Sequence, residues 1–149
     1  MNVRGSLRLT APRESVFEAI RDPRTLLEVI PGCEAVEEVA PDEYEGRIVL
    51  RLPGAVGTFR THVRLADVAP PERCSLEGRI EGSMGTITGN AQFTLADTDP
   101  GTSLRYTGTG TIGGPLARLD GALVERLAQS LISQGLAALD RRLATEGPA

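Results

Sequence analysis

Few side chains in this sequence combine the chemistry and the placement that catalysis needs. The one histidine, His62, stands between Arg60 and Arg64 in an alternating stretch. That spacing puts it on a polar, outward face, and a lone imidazole makes no metal site. Cys33 and Cys74 are far apart and have no metal-type spacing; two free buried thiols are expected rather than a disulfide. Gly82-Ser83-Met84-Gly85 and the run from Gly108 to Gly114 are glycine-rich. Neither carries the Gly-Lys-Ser/Thr ending of a phosphate loop, and no βαβ context surrounds them, so they read as a hairpin and a strand end. The polar residues left on inward strand positions are Thr61, Cys74 and Tyr106. The Tyr106 hydroxyl suits either a ligand carbonyl or a satisfied place in the core. No inward strand position supplies Asp, Glu, Lys or His, the groups that acid–base chemistry uses. No catalytic residue and no metal ligand is therefore assigned.

The elements that position these residues follow from periodicity. Val3, Leu7 and Leu9 alternate with polar residues, the mark of a half-buried strand. A helix is expected to open at Ala11-Pro12-Arg13-Glu14 with Thr10 as its cap, carrying Val16, Phe17 and Ile20 inward. Asp22-Pro23 starts a second short helix bearing Leu26, Leu27 and Ile30, which Pro31-Gly32 stops. Strands follow. A short mixed one spans 35–40. The next turn their inward faces through Tyr44, Gly46, Ile48, Leu50 and Leu52, then Phe59, Thr61, Val63 and Leu65, then Cys74, Leu76, Gly78 and Ile80. Ile87, Gly89, Ala91, Phe93 and Leu95 come next, and after a hairpin at Asp97–Gly101, Leu104, Tyr106, Gly108, Gly110 and Ile112. A long helix is expected from about Pro115 to Ala144, its stripe running through Leu116, Leu119, Leu123, Leu127, Leu131, Leu136, Leu139 and Leu143 and widened by Val124, Ala128 and Ile132. Gly135 within it costs about 1 kcal/mol against alanine and predicts a bend.

With 149 residues the chain is the size of one domain, 1–149, with 145–149 as a short flexible tail. The net charge of −4, the mixed signs, the absence of tryptophan and the 3% aromatic content argue against a nucleic-acid surface. The opening residues lack a signal-peptide core and no segment reaches the roughly 20 apolar residues of a membrane span, so a cytoplasmic protein is expected.

Five inward glycines (Gly46, Gly78, Gly89, Gly108, Gly110) mean bends in the sheet or room for something to approach it. Together with aliphatic neighbours they predict an apolar, ligand-sized cavity. Its walls are Leu50, Leu52, Phe59, Thr61, Val63, Leu76, Ile80, Ile87, Phe93, Tyr106, Leu116, Leu119, Leu123 and Leu127. A one-residue slip of strand register would exchange the two faces and remove the cavity.

Several segments carry a family resemblance: Ala11-Pro12 with Val16-Phe17, Asp22-Pro23, Ile30-Pro31-Gly32-Cys33-Glu34, Asp42 to Gly46, Leu65-Ala66-Asp67-Val68 before Pro70-Pro71, and Gly113 to Leu119. Across roughly residues 2–143 the chain resembles the CoxG family of carbon monoxide dehydrogenase subunits, within the START-like polyketide cyclase and lipid-transport superfamily. The resemblance implies an α+β helix-grip fold: a curved antiparallel sheet of about seven strands wrapped around a long C-terminal helix, with two short helices after the first strand. It implies a non-catalytic accessory module of a molybdenum carbon monoxide dehydrogenase-type system, binding a hydrophobic, lipid-like molecule such as an isoprenoid quinone, with no other cofactor. A ligand-free assembly or docking factor and a cyclase- or hydratase-type enzyme are the alternatives. The expected partners are an apolar small molecule and a molybdenum hydroxylase or carbon monoxide dehydrogenase, with membrane contact no more than peripheral, at the inner face of the cell membrane. The resemblance also places the cavity mouth at Leu26, Leu27, Ile30, Ala55 and Val56. Some family members carry a membrane-engaging C-terminal extension, whereas residues 144–149 here are short and polar.

Overall fold

The computed structural model describes residues 1–52 and 54–146. One antiparallel sheet of seven strands forms its body: β1 (Asn2–Leu9), β2 (Cys33–Ala40), β3 (Glu43–Leu52), β4 (Ala55–Ala69), β5 (Arg73–Gly82), β6 (Gly85–Asp97) and β7 (Thr102–Gly113). The strand order is β1-β7-β6-β5-β4-β3-β2. Two short helices, α1 (Arg13–Ile20) and α2 (Pro23–Val29), fill the connection from β1 to β2. The long helix α3 (Gly121–Glu146) closes the chain. This is the expected α+β helix-grip architecture.

Inward residues meet in cross-strand rows, as alternation demands. Thr61 pairs with Ile80, Ile80 with Ile87, and Ile87 with Ile112. One row further on, Val63 pairs with Gly78, Gly78 with Gly89, and Gly89 with Gly110. No slip has exchanged the faces.

Two clusters make the core. Phe17, Phe93, Leu95, Leu104, Leu139 and Leu143 pack at the α1 end. The Phe17 and Phe93 ring centroids lie 5.9 Å apart at 55°, a tilted arrangement that suits the positive edge of one ring to the negative face of another. Ile48, Leu50, Phe59 and Leu116 form the second cluster at the opposite end.

The helices differ from the sequence reading in detail. Thr10 does not cap α1, whose N-cap is Pro12 with no side-chain bond; instead the Thr10 backbone N–H and hydroxyl donate to Asp140 Oδ1 on α3 at 3.0 and 3.2 Å. Asp22 does cap α2, accepting from the Arg24 N–H at 2.9 Å. The final helix begins at Gly121 rather than Pro115. Gly114–Arg118 is a separate 3-10 turn, anchored where the Leu116 N–H donates to the Met84 carbonyl at 2.8 Å. Leu119 is extended, and the Asp120 carboxylate accepts from the Ala122 N–H at 3.0 Å, which starts α3. Gly135 lies within an unbroken helical span. A Cβ there would sit 3.6 Å from the Val29 carbonyl oxygen, so the glycine admits the end of α2. Thr145 and Glu146, expected in a tail, are the last turn of α3, and 147–149 lie outside the described residues.

A candidate binding face between two cores

The inner face is sealed at both ends and open in its centre. Phe59 and Leu104 are buried, yet Val63, Leu76, Ile80, Ile87, Ala91 and Ile112 between them are only half-buried although they point inward. The reason lies in where α3 runs. It follows the β1 edge, where its side chains complete the backbone bonds that an edge strand leaves open. Glu125 Oε2 accepts from the Asn2 N–H at 3.1 Å, Gln129 Oε1 accepts from the Arg4 N–H at 3.4 Å, and the Gln129 amide donates to the Arg4 carbonyl at 2.9 Å.

The five inward glycines divide by what a side chain would meet. A Cβ on Gly46 would lie 2.4 Å from the Ala35 carbonyl oxygen, and one on Gly89 would lie 2.3 Å from that of Thr109. These two let neighbouring backbones close in, which is how the sheet curls. Gly108 is covered by Val3 and Ala91, and Gly110 by the Met1 methyl group. Gly78 alone among them faces space, its nearest atoms 3.9 Å away. Bends and room, both expected of inward glycines, thus fall to different residues.

The predicted wall residues fall into three groups. Leu50, Phe59 and Leu116 are buried in the second cluster, with Leu52, Ile80, Ile87 and Leu119 packed against it. Phe93 belongs to the first cluster, with Leu76 and Tyr106 packed against it. Thr61, Val63, Leu123 and Leu127 are half-buried and join neither; on α3 it is Val124 that is buried. At the predicted mouth, Leu26 and Ala55 are half-buried, whereas Leu27, Ile30 and Val56 are 41%, 36% and 60% exposed.

Met84 was not anticipated. It packs against the second cluster, and its Sδ lies 2.6 Å from where a Gly57 Cβ would be. Only the paired turn of β5 and β6 brings it beside Gly57, so no local pattern signals it.

Tyr106 lies over Gly5, where a Cβ would meet its hydroxyl oxygen at 2.6 Å, and that oxygen accepts a hydrogen bond from the Gln129 amide. The tyrosine seals the seam between β1 and α3. Cys33 and Cys74 are free thiols, and burial raises the pKa of both. The Cys74 thiol donates to the Ser75 carbonyl at 3.2 Å. His62 is on the outer face, 2.7 Å from Glu43 Oε1. Among the described residues no three His, Cys, Asp or Glu side chains gather as a metal site needs, and no helix is long and apolar enough to cross a membrane.

Two hollows lie along the sheet. One of about 890 Å3 is lined by outward residues such as Arg4, Asn90 and Thr107, by the inward Val3, Leu76, Ala91 and Gly108, and by Glu125 and Gln129 of α3. Another of about 380 Å3 touches Thr88, Asn90, Thr109 and Thr111 along the backs of Gly78, Gly89 and Gly110. Of the predicted wall residues only Leu76 lines either.

A curled seven-stranded sheet gripping a terminal helix defines the START-like fold. The structure aligns with a START superfamily protein of Mycobacterium smegmatis at TM-score 0.71 and 18% identity, over 97% of each chain. A conserved protein of Geobacillus kaustophilus aligns at TM-score 0.92 and 25% identity, over 97% of this chain and 96% of that one. A Thermus thermophilus protein gives 0.74 and 21%, over 99% and 100%. No curated protein matches the sequence. The model of the CoxG family of carbon monoxide dehydrogenase subunits matches residues 5–144, and the chain belongs to that family. The family name carries the association with carbon monoxide dehydrogenase.

Proposed function

We propose that this chain is a non-catalytic accessory module of a molybdenum carbon monoxide dehydrogenase-type system, and that it carries a lipid-like molecule, an isoprenoid quinone being the leading candidate, on the inner face of its sheet. The observation that carries this reading is the partly buried centre of that face, apolar and framed by two buried clusters, with Gly78 opening on space. An apolar guest laid there would gain roughly 0.8 kcal/mol for each methylene it buries. The exposed Leu27, Ile30 and Val56 supply an apolar rim for its entry. The enzyme alternative is weakened, because its best residue, Tyr106, is held in a structural seam by the Gln129 amide.

Native mass spectrometry of freshly purified protein, followed by solvent extraction, tests the proposal. Wild-type protein is expected to carry a lipid or quinone at close to one per chain, and Gly78→Phe, which fills the open space, to come out empty while still folded. A wild-type protein that neither retains nor takes up any such molecule from added quinone or phospholipid overturns the reading.

A further inference from the structure

The outer face of the sheet is divided electrostatically. On β3, β4 and β5 most of its charges are matched: Arg60 with Glu81, Arg64 with Glu77, Arg79 with Glu81, and His62 beside Glu43, while Arg51 and Glu45 on β3 make no ion pair among the described residues. On β1, β6 and β7 the outward positions carry no acid at all. They hold Thr, Ser, Asn and Gln around three exposed arginines, Arg4, Arg8 and Arg105. Arg73, at the start of β5, joins them: Ser6 pairs with Arg105, Arg105 with Thr94, and Thr94 with Arg73 across four strands. None of these four guanidinium groups makes an ion pair among the described residues. Of the acids nearest the rim, Glu125 and Asp140 are bonded to the β1 edge, Asp97 pairs with Arg13 and Glu77 with Arg64; Glu72 and Asp99 stand on hairpin turns outside the strands, and Asp67 lies at the irregularity near the end of β4. A chain of net charge −4 thus keeps four unpaired arginines on a stretch of strands with no outward acid, beside a trough of about 890 Å3 that Arg4 lines together with Asp67, Glu77 and Glu125.

We infer that this half of the outer face docks an acidic segment of a protein partner, separately from whatever the inner face holds. Arg8 and Arg4 lie four residues apart on β1, and Arg105 stands diagonally between them. Diagonal neighbours on a sheet are about 7–8 Å apart, close to the separation of alternate side chains on an extended strand. Carboxylates at every second residue of an extended acidic segment would therefore meet successive guanidinium forks, which bind carboxylates bidentately. The intervening hydroxyl and amide groups can bond its backbone. The chemistry favours protein over the other polyanions. The outward positions of β1, β6 and β7 offer no aromatic platform for bases and no large apolar side chain to enter a bilayer.

The test measures association of the full chain with the purified carbon monoxide dehydrogenase of the same organism by surface plasmon resonance at about 50 and about 300 mM salt, a range over which surface charge is progressively screened. Arg4→Glu with Arg105→Glu is compared with Arg60→Ala from the matched half, and circular dichroism checks that each variant is folded. The charge reversal is expected to slow association about tenfold at low salt and to flatten its salt dependence, with Arg60→Ala near wild type. Equal effects from both halves, or no binding by wild type, overturn the proposal. So does binding to heparin or to phosphatidylglycerol vesicles that the same reversal abolishes while association with the enzyme is unchanged. None of these outcomes bears on the inner-face ligand, which is read from bound mass.

Discussion

The α1 end of the inner face and its centre share one sheet, one alternation and one helix, yet they have opposite characters. At the α1 end large side chains from α1, β6, β7 and α3 interlock, and Phe17, Leu95 and Leu104 are buried. Three rows from Leu95 and Leu104, Val63, Gly78, Gly89 and Gly110 stand side by side, and only Val63 among them carries a side chain. The contrast teaches that one sheet can fill some rows with large side chains and thin another with glycines, of which Gly78 alone faces space.

Three substitutions bear on that contrast, the largest first. Phe93→Ala removes a ring from the filled end, and a loss of about 3–5 kcal/mol is expected in urea unfolding. A loss under about 1 kcal/mol would mean that this end is not the stabilising one. Within the glycine row, Gly89→Ala drives a Cβ against the Thr109 carbonyl and is expected to cost about 1–3 kcal/mol, as overpacking does. Gly78→Ala meets nothing closer than 3.9 Å and is expected to be neutral or up to about 1 kcal/mol stabilising. Equal costs at the two positions would erase the distinction between curling and open glycines.

A fourth, pH-dependent effect lies at the closed end of the same row, where Tyr44 pairs with Val63. Its hydroxyl donates to the Arg21 carbonyl at 2.8 Å, while Arg21 Nε and Nη2 donate to Asp42 Oδ1 at 3.1 and 2.7 Å. This hub ties the α1–α2 junction to the sheet. Tyr44→Phe is expected to cost about 1 kcal/mol at neutral pH. Burial, helped by the nearby Glu38 and Asp42 carboxylates, pushes the Tyr44 phenol up to about 12. A pKa raised on folding favours the protonated form, so its contribution is intact below the unfolded value of about 10 and is lost as pH rises towards 12. Urea midpoints compared at about pH 9 and about pH 11.5 should therefore fall further for wild type than for Tyr44→Phe.

Much of the fold was legible in the residues because it is written in local period. Pro23 after Asp22 started α2, and the inward register of β3 to β7 was correct at every row named above. The start of α3 was misplaced because Leu116 and Leu119 continue the spacing of its stripe. Yet Leu116 belongs to a 3-10 turn that the Met84 carbonyl holds in place. The site was legible only in part. The wall residues share a face, but which of them are buried in a cluster and which stay open depends on α3. Leu123 and Leu127 were expected as wall residues and are half-buried, whereas Val124, expected only to widen the stripe, is the one fully covered.

The sequence by itself determined which side chains lie on each face of the sheet, because a strand's period of two and the places of its turns are local properties of the chain. It also determined that the inner face is apolar and short of acid–base groups. Only the tertiary structure decided what each glycine is for, since that depends on which backbone or side chain comes close from elsewhere in the chain. It likewise decided that Gln129 and Glu125 serve the edge of a strand more than a hundred residues away. The division of the outer face into a matched half and a basic half arose in the same way, from pairings across strands that sequence distance conceals.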